Sequence, residues 1–132
     1  MKLFLFPAVA LLACAAPVMA PASAQGGGTT VEIDLSNFKF SPSTITLHHG
    51  QPYVLRFVNK ASGGHDFSAK KFFAAATIAP ESRKLAAQGK ISLDGGQTAE
   101  VRLTAPAAGT YEAHCTHFMH STFGMTGSIV VD

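Results

Sequence analysis

Gly109-Thr110-Tyr111-Glu112-Ala113-His114-Cys115-Thr116-His117-Phe118-Met119-His120-Ser121-Thr122-Phe123-Gly124-Met125-Thr126-Gly127-Ser128-Ile129-Val130-Val131 contains two strand signals with a concentration of metal-ligating side chains between them. Tyr111, Ala113 and Cys115 fall on one side of a period-two pattern and Glu112 and His114 on the other, as in a half-buried strand. Gly127 to Val131 is a second apolar run of strand length. Between them the order is Cys115, four residues, His120, four residues, Met125. A loop held between two strand ends folds back on itself and can aim three side chains at one point.

Upstream, Val31, Ile33 and Leu35 alternate with Glu32, Asp34 and Ser36, again the pattern of a half-buried strand. Ile45 and Leu47 continue it up to the turn formers His48-His49-Gly50-Gln51-Pro52, and Tyr53 to Val58 is a further β-rich run; two strands joined by a turn are expected here. Lys90 to Asp94 and Thr98 to Leu103 flank Gly95-Gly96, which predicts a hairpin, because consecutive glycines accept the positive φ of tight turns. The stretch from Ser68 to Gln88 is rich in alanine and lysine. It predicts a short helix capped by Ser68 with Phe72 and Phe73 turned inward, and a second helix opening at Pro80-Glu81. About six or seven short strands at this spacing predict an all-β Greek-key sandwich with a short helical insertion. Phe38, Phe40, Phe57, Phe67, Phe72 and Phe73 are expected in its core.

The N-terminus has a different grammar. Lys2 is followed by the apolar run Leu3 to Ala16 and by small residues ending at Ala22-Ser23-Ala24, which reads as a secretory signal over residues 1–24. The run is shorter than the roughly 20 residues of a membrane span. A second reading takes Leu11-Leu12-Ala13-Cys14 as a lipobox that would leave Cys14 lipidated; the Ala-x-Ala-like site downstream is the cleaner of the two. Residues 25–30, with three glycines in a row, read as a flexible leader, and residues 31–132 as one domain. Periplasmic or secreted placement follows. Without Lys2 the chain's ten Lys and Arg become nine, against eight Asp and Glu. That near-neutral balance, without charge runs, disfavours nucleic acid and anionic membrane surfaces as partners.

Of the two cysteines only Cys115 lies outside the expected signal, so no internal disulfide can form and a lone thiol in an oxidising compartment is buried, paired between chains or bound to metal. Both methionines beyond the signal, Met119 and Met125, and three of the six histidines lie between His114 and Met125. His65, in Gly63-Gly64-His65-Asp66-Phe67, offers a second imidazole just after the Tyr53 to Val58 strand, where the glycines allow close backbone approach. A thiolate and two imidazoles with a thioether at longer range is the ligand set of blue-copper electron-transfer sites. A zinc site of Cys with histidines is the rival reading, and the neighbouring methionines argue against it.

The segment from Gly109 to Cys115, the Cys-x4-His-x4-Met spacing, the closing strand Met125 to Val131 and Gly64-His65 together resemble the cupredoxins, the family of plastocyanin, azurin and amicyanin. The resemblance covers nearly the whole chain beyond the signal. It implies an eight-stranded or similar sandwich with one copper ion per chain near one end, held by His65, Cys115, His120 and Met125, and a role in electron transfer or copper handling. His117 and Met119 are the alternative ligands. The residue after the first histidine is often asparagine in such relatives, where it ties the two ligand loops together, whereas here it is Asp66. Asp66 can accept from backbone amides or the Thr116 hydroxyl, and its charge should favour the oxidised metal. The crowding of His114, His117 and Met119 around Cys115 exceeds what a plain carrier requires. His114 is expected at the surface and His48-His49 in a solvated turn, and Phe118 and Phe123, inside the ligand loop, are expected to shield the metal from water and present an apolar docking face, with packing alone as the equal alternative. The expected partner is a redox protein or a copper-trafficking protein, and a monomer is expected. No Ser-His-Asp order, carboxylate pair, phosphate loop or dinucleotide fingerprint stands out, and a site filled by four ligands leaves no open position, so no enzyme is expected.

Overall fold

The computed structural model describes residues 27–132; the expected signal over 1–24 and its Cys14 lie outside the described residues. Among these residues ten strands run in the order β1 (Thr29–Ser36), β2 (Lys39–Ser41), β3 (Thr44–Leu47), β4 (Pro52–Asn59), β5 (His65–Ser68), β6 (Thr77–Ile78), β7 (Lys90–Leu93), β8 (Thr98–Thr104), β9 (Gly109–His114) and β10 (Thr126–Val131). One helix, α1 (Lys70–Ala75), and a 3-10 turn over Pro80–Ser82 lie between β5 and β7.

The strands form two five-stranded sheets, ordered β2-β1-β4-β8-β6 and β3-β10-β9-β5-β7. The pairings β1 with β4 and β3 with β10 are parallel and the others antiparallel. This is the expected all-β sandwich with a small helical insertion. Period-two alternation places Ile33, Leu35, Leu55, Phe57, Val101 and Leu103 of the first sheet in the buried core with Ile45, Leu47, Phe67, Ile91, Ala113, Ile129 and Val131 of the second. Phe67 joins Phe40 and Phe57 there, at ring-centroid distances of 4.9 and 5.0 Å.

Several local expectations change in the folded chain. The strands flanking Gly95-Gly96 do not pair: β7 pairs with β5, whereas β8 pairs with β4 and β6. The glycines carry the chain from one sheet to the other. A Cβ on Gly95 would sit 2.0 Å from the Ser62 carbonyl oxygen, and Gly96 N–H donates to the Asn59 and Ala61 carbonyls at 3.0 and 3.2 Å; close approach requires glycine at 95, whereas Gly96, with open space around it, takes the expected positive φ, 76°, in a crossover rather than a hairpin. The turn at His48 to Gln51 is likewise a crossover between β3 and β4. A hairpin does occur at Asn37-Phe38, between β1 and β2. Strand β1 begins at Thr29, inside the stretch expected as leader, because Thr29 and Thr30 pair with Tyr53 and Val54.

Ser68 does not cap the helix; it ends β5, and Ala69 stands at the N-cap without a side-chain hydrogen bond. Phe72 and Phe73 are buried as expected, Phe72 edge-on to Tyr111 at 5.7 Å. Pro80 opens only a single 3-10 turn. Phe38 is not core: it takes a positive φ of 64° in its turn and is 41% exposed.

Candidate metal centre

Sheet geometry brings four chain segments to one end of the sandwich. His114 of β9 faces Thr126 of β10, so Cys115 and Met125 immediately flank that register pair. Cys115 N–H donates to the Met125 carbonyl at 3.1 Å, and Met125 N–H to the His120 carbonyl at 3.0 Å. The intervening loop is a series of tight turns, His120 to His117 and Phe123 to Met119, which folds His120 back over Cys115. His65 opens β5, the neighbour of β9.

The approach to His65 is set by Asn59, a buried residue that composition and spacing did not single out. Its amide nitrogen lies 2.9 Å from the Gly63 carbonyl and 3.1 Å from those of Leu93 and Asp94, and its amide oxygen accepts from Ala61 N–H at 3.0 Å. One side chain thus braces the turn before β5 and the end of β7. Of the two glycines before His65, only Gly64 is sterically confined: a Cβ there would meet the His117 ring at 3.3 Å, whereas Gly63 has open space.

His65, Cys115 and His120 each bring one donor atom into a cluster whose members all lie within 4.8 Å of one another. The Nδ1 atoms of His65 and His120 are 3.1 Å apart. The Cys115 sulfur is 3.4 Å from His120 Nδ1 and 3.9 Å from His65 Nδ1. His65 and Cys115 are buried and His120 is partly exposed. On the far side of the His65 ring, Nε2 lies 3.1 Å from the Asn37 amide oxygen. Donation of Nε2–H to that oxygen leaves Nδ1 with a bare lone pair aimed at the cluster, the orienting contact that a metal-binding imidazole needs. Asn37 was not anticipated either; its only trace in the sequence is membership of a Ser-Asn-Phe-Lys turn.

Burial is the main cause that lowers the His65 pKa, with the neighbouring His120 and His117 adding to it, so the ring resists a proton on the nitrogen that faces the cluster. Burial also raises the Cys115 thiol, against the opposing effect of backbone N–H groups, one of which, from Asp66, lies 3.5 Å from the sulfur. Without a cation the cluster sets two imidazole nitrogens and a sulfur against one another in a largely dry site. A thiophilic cation that accepts imidazole fits that donor set, and copper does so in both oxidation states. Among the described residues no fourth histidine, cysteine or carboxylate joins the cluster, as a closed zinc site would require. The chain thus carries the donor set of one copper ion.

Met125 is wholly buried and bonded through its main chain to Cys115 and His120, whereas Met119 is 40% exposed in a positive-φ turn. His117 contributes no atom to the cluster. Its ring stacks on His120 at 5.3 Å, and its Nε2 lies 3.8 Å from Asp66 Oδ2. Asp66 accepts the Thr116 N–H at 2.8 Å and also the Thr116 hydroxyl, so the carboxylate makes the loop-to-loop tie expected of it. His114 is exposed, as expected. Phe118 and Phe123 are 90% and 61% exposed; Phe118 therefore shields nothing, and Phe123 covers Phe38, which itself stands edge-on to His120 at 5.2 Å.

The chain matches the family model for the cupredoxin-like domain over residues 7–131, and it belongs to that family. Its fold is similar to reduced auracyanin from Roseiflexus castenholzii, at 25% identity and a TM-score of 0.60, over 81% of this chain and 99% of that one. It is also similar to auracyanin A, a "blue" copper protein from Chloroflexus aurantiacus, at 26% identity and a TM-score of 0.57, over 80% of this chain and 100% of that one. A multicopper oxidase from Campylobacter jejuni shares the fold alone, at 13% identity and a TM-score of 0.58, over 78% of this chain and 30% of that one. No curated protein sequence matches the chain.

Proposed function

We propose that the chain is an exported type 1 copper protein that carries single electrons, with one copper held by His65, Cys115, His120 and Met125. The convergence of His65 Nδ1, His120 Nδ1 and the Cys115 sulfur within 4.8 Å carries this reading, and the likeness to the two auracyanins supports it. Bound copper would supply a Cu(I)/Cu(II) couple. The protein's part is to hold the donors still: Asn37 orients His65, Asp66 fastens the segment after Cys115, and turn hydrogen bonds lock His120 and Met125. A site that scarcely rearranges when the metal changes charge suits a carrier. With four ligands no position is left open for substrate, so the protein is not itself an enzyme. The partner is a redox protein met through weak, brief docking, and the address is the periplasm or the exterior. No helix among the described residues is long and apolar enough to cross a membrane.

The half-exposed His117 and Met119 beside the donor cluster motivate a second reading, copper delivery without a redox role. Visible absorption and spin-resonance spectra after addition of Cu(II) separate the two. The carrier reading expects an intense thiolate-to-copper band, absent in Cys115→Ala and bleached reversibly by reductant. A colourless protein that retains copper only as Cu(I) would favour delivery, and a preference for zinc would overturn both.

A further inference from the structure

Asp66 differs from every other paired carboxylate described in this chain. The acidic partners of Arg56 and Lys60 (Glu32, Glu100 and Asp34) have side chains 51%, 44% and 25% exposed, whereas that of Asp66 is 2% exposed. A carboxylate so far from water is costly unless hydrogen bonds and an opposite charge compensate it. The Thr116 amide and hydroxyl supply the hydrogen bonds. Two basic side chains face Oδ2: His117 Nε2 at 3.8 Å and Lys90 Nζ at 3.9 Å. Lys90 lies on β7, where Ser92 is the register partner of Asp66 and Lys90 that of Ser68. Lys90 is therefore the diagonal neighbour of Asp66 on the same face of the sheet, and its side chain is 32% exposed.

We propose that Lys90 is the countercharge of the buried Asp66 and acts through it as a positioning residue of the metal site, offsetting at the Cys115 sulfur the negative charge that Asp66 places beside it. The redox part rests on the copper-carrier reading; the countercharge itself does not. Asp66 is bonded to the site at both ends of its residue, by N–H to the Cys115 sulfur and by carboxylate to Thr116, so what fixes its charge and direction also bears on the thiolate.

The test uses the full chain and four variants: Lys90→Met, which keeps an unbranched stem without the charge, Lys90→Arg, Asp66→Asn, and the double variant Asp66→Asn with Lys90→Met. In the copper-loaded protein, removing the positive charge should favour the oxidised metal. Lys90→Met should lower the Cu(I)/Cu(II) ratio at fixed poise about three- to tenfold, the size expected of one partly screened charge nearby. At 59 mV per tenfold that is a fall of roughly 30–60 mV. Asp66→Asn should raise the potential, the double variant should lie near the parent, and Lys90→Arg should restore it. In the metal-free protein, Lys90→Met should lower the melting temperature in the parent but not in the Asp66→Asn background. Equal losses in both backgrounds, or a potential that Lys90→Met leaves unmoved or raises, would overturn the proposal. A parent that forms no coloured copper centre would instead sink the carrier reading, and the metal-free melting cycle would then decide the countercharge alone.

Discussion

At one end of the sandwich His48 and His49 follow β3, where Leu47 pairs with Val131; at the other, His117 and His120 lie in the loop beyond the His114–Thr126 pair. Both ends bring histidines close together in sequence, and the outcomes differ. His48 directs its Nδ1 at the Asp132 carboxylate, and His49 donates Nδ1–H to the Pro106 carbonyl at 2.8 Å. Both Nδ1 atoms there face an acceptor, and the His48–Asp132 pair is more than half exposed. At the loop end the acceptor, Asn37, takes the far nitrogen of His65, and the Nδ1 atoms of His65 and His120 are left facing each other and a thiol. Density of histidine in the sequence does not make a metal site; what makes one is whether neighbouring acceptors leave the lone pairs free to converge.

Truncation at the loop end should have the largest effect. Met125 is fully enclosed, so Met125→Ala should lower the stability of the metal-free protein by about 2–5 kcal/mol through lost burial and the cavity left behind, read by urea denaturation. A loss under 1 kcal/mol would mean that the loop is looser than the structure shows. Asn37→Ala should leave the fold intact but lower copper affinity roughly ten- to a hundredfold, the usual weight of the contact that orients a metal-binding imidazole. Competition with a copper chelator measures this, and an unchanged affinity would remove the distinction drawn between the two ends.

Acid should tell them apart as well. The folded chain holds the His65 pKa below its ordinary 6.5, so the unfolded chain takes up a proton first as the pH falls. Stability of the metal-free protein should therefore decline from about pH 6.5 downward, through the depressed folded value, and level off below it. His65→Gln should flatten that decline in denaturant midpoints measured across the range; a parent whose midpoint is indifferent to pH there would contradict the burial argument. Smallest of all should be the double change His48→Ala with His49→Ala, expected to cost at most about 1 kcal/mol, as exposed pairs do, and to leave copper at one per chain. A fall in metal content would show the first end to be more than a turn.

The alternation of Val31 to Leu35 and of Tyr111 to Cys115, the spacing of Cys115, His120 and Met125, and His65 as the second imidazole were all legible in the sequence, because a strand's period of two and a loop's reach are local properties. The choice between hairpin and crossover at Gly95-Gly96 was not, since it depends on whether β7 finds β5 and β8 finds β4 across the sandwich. Nor was the exposure of Phe38, which turns on what else the core has room for. Asn37, Asn59 and Lys90 were missed for one reason: each acts through a hydrogen bond or charge contact to a residue 24 to 35 positions away, or in the case of Asn59 partly so. Chain order thus determined which donors were available and roughly where they would lie. Only the packing of the two sheets decided which ring nitrogens stay bare, which carboxylate loses its water, and which lysine answers it.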